Sequence, residues 1–353
     1  HPDAAHAWSK ERDFQQQHPF VAGNVAEYSL RWSPGLKPVP PAGSFLQWGK
    51  QVSDFGGMEA SMRHVWCKLL AKELRNGSIG VVHPSDVAVV TPVYLVCHPV
   101  TLKWRLVHDL RPCNVRMEDA SCAYERAADA LSFGAPWASK VDLLSAFRHV
   151  SVRPEDRPFL GFRIGSLFFE WKALPFGLGQ SPAAFLDALK PTLDKLRRLG
   201  VRLVVYVDDI LVLGDAVSSL SADVCRMLDE MRRSGWYIAL DKAFLQPMRR
   251  VLFLGLVVDL DAGVLRVSDK KAKKLQSLTR ELARRQAVSF TMLAKVGGLL
   301  AFLGQACPMC RFARLGLNAA MAEAMRNPSG TVGVKGELLS DLVFWASEAE
   351  SLP

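Results

Sequence analysis

Leu203-Val204-Val205-Tyr206-Val207-Asp208-Asp209-Ile210-Leu211-Val212-Leu213 is the stretch whose reading decides the fold. Apolar and aromatic residues run up to two adjacent carboxylates and continue beyond them, with no Gly or Pro between, which predicts two strands meeting at an Asp-Asp turn. Adjacent like charges inside an apolar hairpin repel each other and lose hydration, so an ionised pair there is costly unless a cation sits beside it. Tyr206-Val207-Asp208-Asp209 alone fits two readings: a solvated Asp-Asp turn, or a site for a divalent metal.

Working outward, residues 181–200 predict a helix. Ser181 caps it, Pro182 takes the first helical position, Phe185, Leu186, Leu189, Leu193 and Leu196 form one face, and Gly200 ends it. A helix over 219–234, one strand over 251–258 and mostly helical sequence from 269 onward follow. Upstream, Met62, Val65, Trp66, Leu69, Leu70 and Leu74 recur at helical spacing, and Asn76-Gly77 marks the stop. Residues 87–96 and 104–110 predict a β-hairpin, with Lys103, Arg105 and Arg111 on or just after it. Residues 138–152 and 159–173 contain further strands, the second run turning at Gly165-Ser166. Residues 1–57 carry Trp8, Phe14, Phe20, Tyr28, Trp32, Phe45, Trp48 and Phe55 without a period, interrupted by Pro34, Pro38, Pro40 and Pro41. They predict an irregular arm with a stiff extended stretch, its aromatics packed on its own domain or, as the alternative, on a partner surface. Mixed rather than alternating strands and helices make the class α+β.

The chain has 353 residues, 49% hydrophobic and 22% charged, enough for two or three globular domains and incompatible with a disordered tail or fibrous repeat. Lys and Arg number 44 against 35 Asp and Glu, a net charge of +9 that favours a polyanionic partner. Seven scattered cysteines read as reduced thiols of the cytoplasm or nucleus. Cys307-x-x-Cys310, lacking a second pair, reads as buried thiols rather than a zinc site. The most apolar run, residues 292–304, contains Lys295 and is too short for a membrane span. A chain that begins at His1 reads as a processed product or an excised fragment.

Asp142 ends a strand-like run in Lys140-Val141-Asp142-Leu143-Leu144-Ser145-Ala146-Phe147, 66 residues before Asp208. Alone it reads as a strand-end or capping residue. Beside the Asp208-Asp209 turn it would complete a set of hard oxygen donors suited to two Mg²⁺ ions.

Together these segments resemble a reverse transcriptase, most closely that of long-terminal-repeat and tyrosine-recombinase (DIRS-like) retroelements. The resemblance is collinear over residues 60–260. It runs through Arg105-Leu-Val-His-Asp109-Leu-Arg111-Pro-Cys-Asn114, Asp142 to Phe147, Leu174-Pro175-Phe176-Gly177-Leu178-Gly179-Gln180-Ser181-Pro182, Tyr206-Val207-Asp208-Asp209, Lys242 and Phe253-Leu254-Gly255-Leu256. It implies a right-hand polymerase with fingers (58–117 and 150–178), a palm of antiparallel sheet plus helices (118–149 and 179–260) and a helical thumb (261–326). Residues 1–57 form an extension, and 327–353 a helix opening a connection region.

The implied activity is RNA-directed DNA polymerisation: extension of a primer 3′-hydroxyl with dNTPs on an RNA template, the primer being DNA or RNA. By the resemblance, Asp142, Asp208, Asp209 and the Leu143 carbonyl hold two Mg²⁺ ions, for which Mn²⁺ can substitute. Lys242 protonates the leaving pyrophosphate, and Arg105 clamps the triphosphate with its planar donors. Leu143, Ser145, Ala146, Phe147 and Phe176 surround the nucleotide. Gly177, Gln180, Tyr206 and the Leu254-Gly255 primer grip contact primer and template. His98 and Pro99 stand where many relatives carry fingers lysines, which would pass part of the triphosphate grip to Lys103. The retroviral branch has Gln at the position of Phe176, whereas retrotransposons commonly have Phe.

Residues 266–326 hold twelve basic residues, Lys270, Lys271, Lys273 and Lys274 among them, against three acidic ones, as large an excess as the whole chain's. Such a thumb suits tracking of a duplex backbone. Relatives continue into a ribonuclease H domain for which no carboxylate set follows the thumb here, so no ribonuclease activity is expected. Other retroelement-encoded domains or proteins are further partners, and a membrane is not. Two rivals share these features: an RNA-dependent RNA polymerase, and a retroelement-derived scaffold that binds nucleic acid without catalysis. Phe147 stands where the family places an aromatic beneath the sugar, so Phe147→Ala should raise ribonucleotide incorporation in single-nucleotide extension assays. Unchanged sugar selectivity would overturn that role.

Overall fold

The computed structural model describes residues 2–49, 58–98, 102–312 and 314–352. At its centre is a four-stranded antiparallel sheet in the order Arg202–Tyr206, Asp209–Gly214, Trp137–Asp142, Phe244–Met248. Val141, Val205, Ile210 and Val212 pack against the helices Ser181–Arg198 and Val217–Arg233. The alternate residues Ala138, Val204, Leu211 and Leu213 face a second core. Burial on both faces explains why the stretch reads as one continuous apolar run rather than an alternating strand.

A five-stranded sheet in the order Leu46–Gln47, Val89–Val90, Gly161–Ile164, Leu167–Trp171, Ile79–Val82 forms another lobe. The hairpin Val93–Cys97 with Trp104–His108 projects from it, and the helix Ala60–Arg75 packs beside it. On the far side lies a three-stranded sheet, Arg250–Phe253, Leu256–Asp259 and Val264–Val267. The helices Asp269–Ala283, Phe290–Leu303, Leu315–Arg326 and Gly336–Glu348 share one core with it.

The structure corrects four expectations. The N-terminal segment is not irregular throughout: Pro2–Gln17 is a helix. Its apolar stripe is faint because Ala7 and Trp8 share the contact face with a buried ion pair, Glu11 with Arg232 at 3.1 Å. The rest of the arm does pack on its own chain, Ala26–Tyr28 pairing in parallel with Val150–Val152; Phe55 lies outside the described residues. The strand expected over 87–96 is divided at Thr91-Pro92, and its two halves enter different sheets. Residues 251–258 are two strands, because Leu254-Gly255 turns the chain with positive φ at both positions. Ser181 does not cap its helix: Gln180 is at the N-cap, and the Ser181 hydroxyl donates to the Pro175 carbonyl at 3.0 Å.

That last bond closes the loop over 175–181, whose other fastenings come from the neighbouring lobe. Asn114 donates to the Gly177 carbonyl at 2.8 Å and accepts from the Gly179 N–H at 2.9 Å. Gly177 has φ 105°, and a Cβ there would collide with the His108 carbonyl oxygen. Gly177→Ala is therefore expected to cost on the order of 2 kcal/mol in urea denaturation.

Candidate active site

The register of the central sheet sets Asp142 opposite Asp209, and the Asp142 strand therefore delivers its carboxylate to the turn that carries Asp208. Tyr206 pairs with Asp209, leaving Val207 and Asp208 as a two-residue hairpin loop. Such loops need positive φ at the first position, and Val207 supplies it at 53°. A β-branched residue in that conformation stores about 1–3 kcal/mol of strain. Ser145 and Leu254 also have positive φ, 51° each, so three of the four described non-glycine residues with positive φ fall in motifs singled out from the sequence.

Two lysines meet the carboxylates. Lys242 Nζ donates to Asp142 Oδ1 at 3.1 Å. Lys140 Nζ lies 2.7 Å from Asp209 Oδ1 in an ion pair that is not aligned as a hydrogen bond, and that buried oxygen has no hydrogen-bond partner. Burial holds the Asp208 carboxyl above the ordinary carboxylate range, with Asp142 and then Asp209 raising it further. Burial raises Asp142 as well, opposed chiefly by its hydrogen bond from Lys242. Among the described residues no three His, Cys, Asp or Glu groups close into a ready metal cage. The donor set nevertheless fits a divalent cation: hard oxygens, a poorly compensated Asp208 and an orphaned Asp209 oxygen.

A cleft of about 320 Å³ opens beside Asp208. Arg105, Leu143, Ser145, Ala146, Phe147, Phe176 and Lys242, all selected from the sequence, line it together with Asp208. Lys103, expected to share the triphosphate grip, borders it too, as do Lys72, Glu73 and Arg148, which the sequence reading did not single out. For Lys72 and Glu73 no local signal existed, since they belong to an ordinary amphipathic helix. Lys140 was legible in principle, two residues before Asp142 and hence on the same face of the strand.

The expected primer and template residues divide. Tyr206 and Leu254 line one groove of about 410 Å³ with Tyr124 and Phe302. Gly255 adjoins Lys271, whose ammonium lies 4.6 Å from the Phe302 ring centroid. Lys270, Lys273 and Lys274 are on the same helix, and all three are exposed. Gln180 does not reach the surface. It is 1% exposed, its carbonyl accepts from Tyr28 and from the Arg31 N–H, and its amide donates to the carbonyls of Arg31 and Glu118. The structure gives it the task of joining the loop to the N-terminal arm. Of His98 and Pro99, the proline lies outside the described residues. Cys307 and Cys310 are buried.

A three-lobed molecule with paired carboxylates on its central sheet has the right-hand fold of the reverse transcriptases. Residues 101–258 match the family model "Reverse transcriptase (RNA-dependent DNA polymerase)". The Gag-Pol polyprotein of gibbon ape leukemia virus is 30% identical over 211 residues, 54% of this chain and 12% of the polyprotein. The Intracisternal A-particle Pol-related polyprotein of mouse intracisternal a-particle MIA14 is 30% identical over 196 residues, 52% of this chain and 22% of that protein. The chain thus spans about an eighth of the length of the first of these relatives. The foamy viral protease-reverse transcriptase in complex with dsDNA superposes with a TM-score of 0.75 at 18% identity, over 100% of this chain and 69% of the other. A second foamy viral structure, the protease-reverse transcriptase dRH with ds DNA, gives 0.73 at 18% identity over 95% and 53%. No helix among the described residues is long and apolar enough to cross a membrane.

The raised Asp208 has a consequence for stability. Relative to a neutral group, it costs the folded state nothing below the unfolded carboxyl value of about 3.9, and the cost develops as pH rises through the higher folded value. Asp208→Asn should therefore raise the melting temperature of the metal-free protein at pH 7. The gain should vanish near pH 3; thermal melting in chelator across that range checks it.

Proposed function

We propose that this chain is the polymerase portion of a retroelement reverse transcriptase, adding deoxynucleotides to a primer 3′-hydroxyl on an RNA template. The single observation that carries this reading is the cleft in which Asp208, Lys242, Arg105, Phe147 and Phe176 meet. A phosphate-binding guanidinium, acidic groups for the reacting end and an aromatic floor are what a nucleoside triphosphate requires. We assign residues 58–117 and 150–178 to fingers, 118–149 and 179–260 to palm and 261–326 to thumb. The helix Gly336–Glu348, which packs on Asp269–Ala283 and Leu315–Arg326, follows directly on the thumb. Phe176, in place of the retroviral Gln, supports an LTR or DIRS-like lineage.

Two divalent cations, Mg²⁺ or Mn²⁺, held by Asp142, Asp208, Asp209 and the Leu143 carbonyl would neutralise charge on the attacking and leaving oxygens. The chain's own residues do the rest. Arg105 binds the triphosphate, and Lys103 beside it shares that charge. Lys242, an ammonium already at the carboxylates, is the proton source for the leaving group. Phe147 closes the space beneath the sugar against a 2′-hydroxyl, and Ser145 and Ala146 set the backbone on which it stands. Gly177 permits close approach of the backbone, Tyr206 with Leu254 and Gly255 seats the primer end, and Lys270, Lys271, Lys273 and Lys274 meet the duplex phosphates. The foamy viral proteins were solved with dsDNA and RNA/DNA hybrid, and we extend duplex binding to this chain.

An RNA-dependent RNA polymerase would leave Phe147 obstructing its own substrate, and a scaffold would not require Asp142, Asp208 and Asp209 together. Primer extension on an RNA template with Mg²⁺ tests the proposal. The wild-type chain should extend with dNTPs in preference to rNTPs, and Asp208→Asn should lower the rate by at least about 10³-fold. No extension by the wild type, or equal extension by the variant, would falsify it.

A further inference from the structure

Beneath the nucleotide cleft lies a cation with no part in the reaction as proposed. Arg148 is 3% exposed, and its contacts reach several different segments. Its Nε donates to Glu73 Oε2 on the helix Ala60–Arg75 at 3.1 Å. Its Nη1 donates to the Leu174 carbonyl, at the entrance to the loop that carries Phe176. Its Cζ lies 4.1 Å from the centroid of Trp171 and 5.3 Å from that of Phe176. The Phe176 ring is in turn 5.4 Å from Phe147, and Phe147 is 5.8 Å from the buried Phe185.

A buried arginine-carboxylate pair adds little net stability compared with an apolar replacement, because desolvation offsets the attraction. What it adds is geometry, since the planar guanidinium serves several partners only when all are in register. Phe176 needs such a hold. It is 41% exposed, and the residue after it is a glycine at φ 105°, so the ring lacks a complete packing shell of its own.

We propose that Arg148 is a positioning residue for sugar selectivity. By fixing the Leu174 carbonyl and the face of Phe176, it braces Phe147 as the wall against a ribose 2′-hydroxyl. Glu73 supplies the counter-charge that keeps the guanidinium in place. The inference rests on the reverse transcriptase reading above and adds a determinant of its substrate choice.

Single-nucleotide incorporation of dNTP and rNTP, as kcat/KM for each, tests it in wild type, Arg148→Lys, Phe176→Leu and the Arg148→Lys/Phe176→Leu double variant. Lysine keeps the charge opposite Glu73 but cannot hold the carbonyl and stack on the ring together. Arg148→Lys should lower the preference for dNTP over rNTP about tenfold, mainly through better rNTP use. Phe176→Leu should do the same, and the double variant should be no less selective than either single one, because both act through one ring. Glu73→Gln/Arg148→Met, which leaves no orphaned buried charge, should match Arg148→Lys. Thermal melting establishes that each variant is folded. Wild-type selectivity in folded Arg148→Lys or in the paired variant overturns the inference, as do losses that multiply in the double variant. Failure of the wild type to incorporate either nucleotide would instead overturn the reverse transcriptase reading and this inference with it.

Discussion

The crowding of Asp142, Asp208 and Asp209 at one end of the central sheet is the constraint on which the rest of the structure depends. Strands covered on both faces leave these carboxylates little water, and the register that sets Asp142 opposite Asp209 prevents them from separating. Lys140 and Lys242 offset part of the charge, each from one side. Asp208 is left the least compensated, in a turn strained at Val207, and it faces the cleft. Charge, strain and access coincide where a cation and a triphosphate would enter, a combination that stability alone would not favour.

A second arrangement sets the opposite wall of that cleft. The loop over 174–181 is held by Asn114 and His108 from one lobe, by Arg148 from beneath and, through Gln180, by Tyr28 and Arg31 of the N-terminal arm. Phe176 therefore stands where several separate parts of the chain agree. The arm, which reads as an appendage in sequence, fastens this loop and also packs on the helix Val217–Arg233 through Glu11 and Arg232.

Much of the site was legible because its residues lie in short motifs whose local structure and chemistry coincide. Asp208 and Asp209 interrupt an apolar run, Asp142 ends another, and the glycines about Phe176 mark a turn. Other residues carried no local mark. Glu73 and Lys72 belong to a helix whose spacing is explained by its apolar stripe alone. Arg148 sits between Phe147 and His149 with nothing to show that it is buried. Gln180 reads, from its motif, as facing nucleic acid, yet its amide is consumed inside the chain. The turn at Leu254-Gly255 is hidden in the sequence because apolar residues flank it on both sides, Val251 to Phe253 before and Leu256 to Val258 after, and only the positive φ values reveal the break.

By itself the sequence determined the α+β class, the strand pair around Asp208, most helices and the identity of the acidic centre, because periodicity and charge within an apolar run act over a few residues. Only the tertiary structure decided which strands pair, that Asp142 lies opposite Asp209, that Lys140 and Lys242 neutralise them, and that the N-terminal helix exists by virtue of its contact with Val217–Arg233. Those outcomes depend on groups as far apart as Glu11 and Arg232 meeting in a medium where an unpaired charge is costly, and no local pattern encodes such a meeting.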